Sequence, residues 1–537
     1  MKQGHGMPVF RGVAMGPAVV YRKVRPVFPK ACGDPEAELT KFSAARETAR
    51  EQLNEIYDRA VEVYGEEQAA IVDVQRMLLD DLDFQEEVAA AIETGLSAAQ
   101  AVLDCGEEFA SVFAALDDEY MQARSADILD IAQRIGDILC GETGFQVPEG
   151  GFVLVAEDLG PSETIQLPRG QVKAFVTKEG SVSSHTAILA RTMSIPSLVQ
   201  TDIDLEAAEN CRILAVDGFT GCWYADPDPE TVEMLLKKQA EDAADREALE
   251  VYRNRESVTR SGRHLRISAN IGGPEDAEAA VAAGADGVGL MRSEFLYLGR
   301  ETPPSEQSLF EAYKKVGSVM GDRPVIIRTL DIGADKQVPF IDLAKEANPA
   351  LGLRGIRISL THENLFHTHL RAIYRASVYG NLSIMFPMIA SIRELREAKR
   401  VCAQVRSELA AEGLAVRDVP IGIMVETPAA AVQARELAKE AAFFSVGTND
   451  LTQYTLAVDR QNAELEDFCD PYHPALMALL GYVAQAAAEA GIPAGICGEL
   501  GADLTMTEKF ISMGFTELSM APARILEIRR LVCESEV

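Results

Sequence analysis

The sequence predicts a multidomain α/β protein: a small α/β domain interrupted by a helical bundle, then a linker helix and a (β/α)8 TIM barrel. The length of 537 residues is enough for about two to four domains. Residues 34–139 contain few prolines and have apolar residues at the 3.6-residue spacing of a helix, whereas short apolar runs flank them. From about residue 262 onward, apolar runs alternate with helical runs, as in a barrel of parallel strands.

The amino-terminal part is predicted to begin with strands and continue as a helical insert. Residues 8–22 alternate apolar and small residues and predict one or two short strands. Within residues 34–139, one apolar stripe consists of Ile128, Ile131, Ile135 and Ile138. Three glycines fall where helices could end or bend: Gly65, Gly95 and Gly106.

Residues 151–224 return to short strands and are followed by a charged helix. The apolar runs are residues 152–156, 174–176, 198–199 and 212–216. We expect the opening strand to join their sheet, which makes the helical bundle an insertion. Residues 229–256 have few apolar anchors, and a helix that is polar all round commonly bridges domains.

Eight apolar runs in the carboxy-terminal half predict the barrel strands. They are residues 264–269, 287–291, 325–327, 356–358, 382–386, 421–425, 443–446 and 492–496. In such barrels, the chemistry lies at the carboxyl ends of the strands.

Charge and composition exclude several classes of protein. The net charge of −32 argues against binding nucleic acid or an anionic membrane surface. No segment reaches the about 20 apolar residues that span a bilayer, and the first 21 residues lack the apolar core of a signal peptide. Nine cysteines without a C-x-x-C pair fit reduced thiols. We therefore expect a soluble, cytoplasmic protein without membrane insertion.

Polar side chains follow five of the predicted barrel strands. Two arginines suit a doubly charged phosphate, because the guanidinium fork matches its oxygens. A Glu and an Asp on neighbouring strands suit Mg²⁺. With a thiol on the same rim, the set predicts transfer of a phosphoryl group and protonation of an enolate. Taken singly, each charge could equally belong to an ordinary salt bridge. The residues are Arg292, Arg328, Glu426, Asp450 and Cys497.

One histidine in the α/β domain is placed to bear an anionic group. The small polar loop 180–184 precedes His185, at the start of a predicted short amphipathic helix over residues 186–192. The free amides and positive end of the helix dipole favour an anion there. The simpler alternative is a histidine that only caps the helix.

Five sequence runs resemble one known family. They are SHTAILAR from Ser184, DIGADK from Asp331, ETPAA from Glu426, GTNDLTQY from Gly447 and CGEL from Cys497. Together they resemble Enzyme I of the bacterial sugar phosphotransferase system, the phosphoenolpyruvate–protein phosphotransferases. The resemblance extends over essentially the whole chain, helical insert included.

The resemblance implies a domain assignment. Residues 1–30 and 144–226 form a swivelling phosphohistidine α/β domain, and residues 31–143 form an inserted helical domain that binds the phosphocarrier protein HPr. Residues 227–256 are the linker helix. Residues 257–537 are the TIM barrel, which binds phosphoenolpyruvate and forms the homodimer.

The resemblance also implies roles for individual residues. His185 is the phospho-acceptor, Thr164 hydrogen-bonds it, and Cys497 donates a proton to the enolate. Glu426 and Asp450 are ligands of Mg²⁺. The residues that bind the substrate are Arg292, Arg328, Lys336, Arg354, Asn449, Asp450 and Arg460. The implied reaction moves the phosphoryl group from phosphoenolpyruvate to His185 and on to HPr, releasing pyruvate, as the first step of sugar uptake.

Two departures and two alternatives accompany this interpretation. Val182 stands where the family usually has an arginine, and Ala334 replaces a glycine. Phosphoenolpyruvate synthase and pyruvate phosphate dikinase also combine such a histidine with such a barrel. They also need a nucleotide-binding domain, and no Gly-rich phosphate loop precedes His185. A non-catalytic regulatory paralogue is the other alternative, and the intact set of Arg, Glu, Asp and Cys weighs against it.

Overall fold

The chain forms two compact units, Met1–Asp245 and Arg246–Val537. The structure is a computed structural model that describes residues 2–22, 34–64, 75–114, 119–140, 150–159, 167, 171–180, 187, 190, 195–298, 300, 302–333, 338–341, 346–460 and 462–537. Among these residues, no helix is both long enough and apolar enough to cross a membrane.

Two β-sheets make up the strand-containing part of the first unit, as far as it is described. The strands are β1 (Lys2–His5), β2 (Met7–Phe10), β3 (Val13–Gly16), β4 (Ala18–Tyr21), β5 (Phe152–Ala156), β6 (Val172–Thr177), β7 (Ser197–Val199), β8 (Leu214–Asp217) and β9 (Cys222–Ala225). One sheet has the order β2-β7-β6-β5-β4, and the other has the order β1-β9-β8-β3.

The opening segment contributes to both sheets. The sequence predicted one or two strands over residues 8–22, but residues 2–21 form four. Gly12, at φ 138°, and Pro17, which has no backbone donor, interrupt the extended run. β4 runs parallel to β5, and β1, β2 and β3 pair antiparallel with β9, β7 and β8. Strands from both sides of the helical insert therefore share each sheet.

Four long helices lie in the described part of the chain between β4 and β5. They are Pro35–Tyr64, Leu82–Glu93, Ala98–Ala114 and Glu119–Cys140. Ile128, Ile131 and Ile135 of the predicted stripe are buried. Gly106 does not end a helix: a Cβ there would clash with Ala132, so this glycine lets two helices approach closely.

A long polar helix, Pro229–Glu250, follows β9 and the short helix Leu205–Glu209. Lys238 Nζ lies 2.6 Å from Oδ2 of the buried Asp217, and Gln239 Nε2 donates to the Val13 carbonyl at 3.1 Å. These contacts fasten the first part of the helix to the four-stranded sheet.

The second unit is a closed barrel of parallel strands. They are β10 (Arg266–Ile271), β11 (Val288–Arg292), β12 (Pro324–Arg328), β13 (Asn381–Phe386), β14 (Ile421–Val425), β15 (Phe444–Val446), β16 (Ala494–Ile496) and β17 (Glu517–Met520), and β17 pairs with β10. The α-helices around them are Asp276–Ala282, Glu306–Met320, Ile356–Thr361, Glu363–Ala376, Ile392–Ala411, Pro428–Val432, Ala434–Leu437, Thr448–Leu456, Pro474–Ala490, Thr507–Met513 and Ile525–Glu534.

One of the predicted barrel strands is wrong, and one real strand was missed. Residues 356–358 begin the helix Ile356–Thr361, after Gly355 at φ 56°. The missing strand is β17. Its Leu518 and Met520 pack in the main core, whereas Glu517 and Ser519 hydrogen-bond to residues of β10. Half of the residues in this short strand are polar and face inward. The strand therefore forms no apolar run in the sequence. The other seven predictions are confirmed to within two residues at each end.

A buried arginine fastens the start of the barrel unit to its last helix. Arg529 is 1% exposed and donates to the carbonyls of Tyr252 and Arg253, at 3.3 and 2.8 Å. It also donates to Ser257 Oγ at 3.0 Å and to Asp286 Oδ1 at 2.8 Å.

We predict that Arg529→Ala destabilises the barrel by about 3–5 kcal/mol, because it leaves these acceptors without their buried partner. Urea unfolding followed by far-ultraviolet circular dichroism measures the change. Fluorescence of Trp223, the only tryptophan, reports the first unit separately and should not shift.

The matched control is Arg435→Ala, which removes a half-exposed pair with Glu489 and should cost less than about 1 kcal/mol. A shift for Arg529→Ala no larger than that of the control would contradict the assignment.

Candidate active site

The carboxyl ends of the barrel strands enclose a cavity of about 680 Å³. Strand pairing places Arg292 and Arg328 side by side, as the last residues of β11 and β12. The cavity brings together eight of the predicted site residues: Arg292, Arg328, Arg354, Glu426, Asn449, Asp450, Arg460 and Cys497. Arg292 is exposed, whereas Arg328 and Arg354 are buried.

Arg328 is held by two carboxylates. Its Nη2 donates to Glu294 Oε1 at 2.6 Å, and its Nη1 lies 2.9 Å from Asp331 Oδ2. Burial by itself would lower the pKa of Arg328, but these carboxylates raise it above its ordinary value. The guanidinium is therefore a fixed positive charge in the cavity.

Arg354 shares one of these carboxylates. Its Nη2 lies 3.3 Å from Asp331 Oδ1, and its Nη1 lies 3.2 Å from Asp450 Oδ1. Tyr454 accepts a further hydrogen bond from Nη1 at 3.1 Å. A buried row of alternating charges thus joins the segments after three strands, β11, β12 and β15: Glu294, Arg328, Asp331, Arg354 and Asp450.

Glu426 follows β14 and has one oxygen without a partner. Its Oε1 accepts from the Met388 amide at 2.6 Å, whereas its buried Oε2 has no hydrogen-bond partner among the described residues. Burial first, and then the carboxylates of Asp450 and Asp331, raise the pKa of Glu426 to about 8.

This carboxylate pair fits a divalent cation. A buried, unpartnered oxygen is costly, and Mg²⁺ usually takes one or two carboxylates, with water and substrate oxygens as the other ligands. No cluster of three or more His, Cys, Asp or Glu suited to a metal occurs among the described residues. Glu426 and Asp450 both line the cavity and could supply carboxylate ligands there.

Cys497 follows β16 and is buried. Its Sγ donates to the Val446 carbonyl at 3.4 Å. Burial raises the pKa of this thiol to about 11. The thiol is therefore protonated at neutral pH and can donate a proton.

Asn449 and Arg460 lie at the outer part of the cavity. Asn449 Oδ1 accepts from the Glu499 amide at 3.4 Å. Arg460 is exposed, its Nη2 lies 3.9 Å from Asp450 Oδ1, and its backbone amide donates to Gln453 Oε1 at 3.2 Å.

Three predicted site residues, Thr164, His185 and Lys336, lie outside the described residues. Conversely, the structure adds Glu294, Asp331 and Tyr454, to which the sequence assigns no role. For Asp331 a signal existed, since it follows Arg328 by three residues just after the same strand.

Three family models of PEP-utilising enzymes match this chain. Residues 246–537 match the PEP-binding domain of PEP-utilising enzymes, residues 5–124 match their N-terminal domain, and residues 148–221 match their mobile domain.

The chain is 42% identical over 532 residues to a phosphoenolpyruvate-protein phosphotransferase of Bacillus sp. (strain S), with 98% of this chain and 92% of that protein covered. It is 41% identical to the Geobacillus stearothermophilus protein of that name at the same coverage. The Staphylococcus carnosus (strain TM300) protein is 39% identical, covering 99% and 94%. The chain therefore belongs to the phosphoenolpyruvate–protein phosphotransferase (Enzyme I) family.

Proposed function

We propose that this protein transfers the phosphoryl group of phosphoenolpyruvate to its own His185 and then to HPr, releasing pyruvate, as the first step of sugar uptake. The main support is one cavity that combines arginines for a phosphate, an unpartnered carboxylate oxygen for a cation and a protonated thiol. Family membership agrees with it, because the relatives are enzymes of this name.

The barrel residues bind and orient the substrate. Arg292 and Arg328, adjacent at two strand ends, receive the phosphate together with Lys336 and Arg354, and Asn449, Asp450 and Arg460 hold the remainder of the molecule. Glu294 and Asp331 already fix the guanidinium of Arg328. Little reorganisation is then needed as charge develops in the transition state.

In the phosphoryl step, a neutral ring nitrogen of His185, which Thr164 hydrogen-bonds, attacks phosphorus, and the bond to the enol oxygen of phosphoenolpyruvate breaks. The imidazole uses its own lone pair, so no general base is required. The products are phosphohistidine and the enolate of pyruvate. Cys497 then donates its proton to C3 of the enolate, giving pyruvate, and regains a proton from solvent.

Glu426 and Asp450 would hold Mg²⁺. When bound, this ion offsets negative charge on the phosphate and on the enolate oxygen.

The proposal extends to the domains and partners. The phosphohistidine domain (residues 1–30 and 144–226) swings between the barrel and HPr, HPr binds the helical insert 31–143, and residues 227–256 link the two parts. The barrel (residues 257–537) forms the homodimer. A cytoplasmic location belongs to the same proposal, supported by the free cysteines of the described chain.

We predict that His185→Ala abolishes labelling of the protein by radioactive phosphate from phosphoenolpyruvate, because no other side chain is expected to accept it. The labelled protein is separated after a short incubation and counted. His264→Ala, which replaces an exposed histidine of the barrel unit, is the control and should label normally. Label that persists at another residue in His185→Ala would refute the assignment.

A second prediction concerns the cation. After removal of divalent ions with a chelator, labelling should stop and return on addition of Mg²⁺. Glu426→Gln should raise the Mg²⁺ concentration for half-maximal labelling by about tenfold or more, since an amide replaces a charged ligand.

Glu489→Gln serves as its control, because Glu489 lies on the surface and pairs with Arg435. Equal Mg²⁺ requirements in the two variants would remove Glu426 from the ligand set.

A further inference from the structure

Cys497, the proposed proton donor, follows β16. Its backbone is held by a side chain of β10, which lies on the other side of β17. Asn270 is on β10, and its Nδ2 donates to the backbone carbonyl of Cys497 at 3.0 Å. The Cys497 amide donates to the Val446 carbonyl at 3.1 Å. The backbone on both sides of the Cys497 side chain is therefore fixed, which restricts where Sγ can point.

A buried serine holds the other end of the Asn270 amide. Ser519 of β17 is 1% exposed, and its Oγ donates to Asn270 Oδ1 at 2.6 Å. Because the Cys497 carbonyl can only accept, Nδ2 must be the atom that faces it, and Oδ1 is left to accept from the Ser519 hydroxyl. Asn270 Nδ2 also donates to the backbone carbonyl of Ser519 at 3.4 Å.

A bulge in the neighbouring strand makes room for this pair. Ala269 pairs with Val288, but Asn270 pairs with Leu290, so Gly289 is an extra residue in β11. A Cβ at Gly289 would lie 2.5 Å from Ser519 Oγ. Bulges beside active sites commonly redirect a side chain, and here a residue without a side chain leaves space for the serine.

We propose that Asn270 is the positioning residue for the Cys497 thiol, with Ser519 fixing its amide, so that the thiol proton is delivered to C3 of the enolate. The proposal rests on the proposed function for its chemistry. Asn270 does not line the cavity. It acts through the backbone of Cys497 and is expected to affect protonation more than substrate binding.

The test compares Asn270→Ala with Asn381→Ala in the full chain. Asn381 makes the same kind of bond, from its amide to the Asp322 carbonyl at 3.3 Å, at the beginning of β13 and far from the strand ends that form the cavity. We expect Asn270→Ala to lower kcat for pyruvate release about tenfold or more, with KM for phosphoenolpyruvate within about twofold of wild type. Asn381→Ala should change neither constant.

A second readout follows the thiol itself. Cys469 lines the same cavity and serves as an internal reference. In Asn270→Ala, alkylation of Cys497 by iodoacetamide, measured by peptide mass spectrometry, should rise severalfold relative to that of Cys469, because the backbone that bears the thiol is no longer held. This ratio does not depend on turnover, so it tests the positioning even if phosphoryl transfer to His185 fails.

Two further outcomes decide the proposal. Ser519→Ala should change kcat and the alkylation ratio in the same direction but less, and it keeps the test valid if Asn270→Ala does not fold. Unchanged kcat and an unchanged alkylation ratio in a folded Asn270 or Ser519 variant would overturn the proposal. A fall in kcat with an unchanged ratio would also overturn it, since the effect would not pass through the thiol.

Discussion

The active-site end of the barrel depends on keeping two buried arginines compensated. Asp331 achieves this for both, since its two oxygens contact Arg328 at 2.9 Å and Arg354 at 3.3 Å. Removing one partner from such a buried pair is strongly destabilising, because it leaves an uncompensated charge. Glu294 and Asp450 extend the pairing at either end, so the row of charges holds the loops after three strands in one arrangement.

This constraint suits the barrel rim to the multiply charged anion that we propose as substrate. The arginines are fixed before substrate binds, and the row of charges adjoins Glu426, whose second oxygen has no partner in the described structure. On the far side, Cys497 is held by Val446 and Asn270. The proposed cation ligands, phosphate ligands and proton donor thus come from separate strand ends, and the barrel closure sets their spacing.

Much of this site could be predicted from sequence, because polar residues that directly follow apolar strands meet at one rim. The contacts behind them could not. Asn270 and Cys497 are 227 residues apart, and only the closure of β10 on β17 brings them together. β17 itself escaped prediction because its inward-facing residues are polar, whereas residues 356–358 are apolar but form a helix after Gly355. Periodicity finds strands that bury apolar side chains and misses those that build a polar interior.

We propose that the barrel cavity binds phosphoenolpyruvate by its own arginines, independently of the histidine that receives the phosphate. Isothermal titration of the His185→Ala protein with phosphoenolpyruvate and Mg²⁺ tests this directly. We expect the His185→Ala protein to bind phosphoenolpyruvate, and the addition of Arg328→Ala to weaken this binding by at least tenfold. No binding by His185→Ala, or equal binding with and without Arg328, would contradict it.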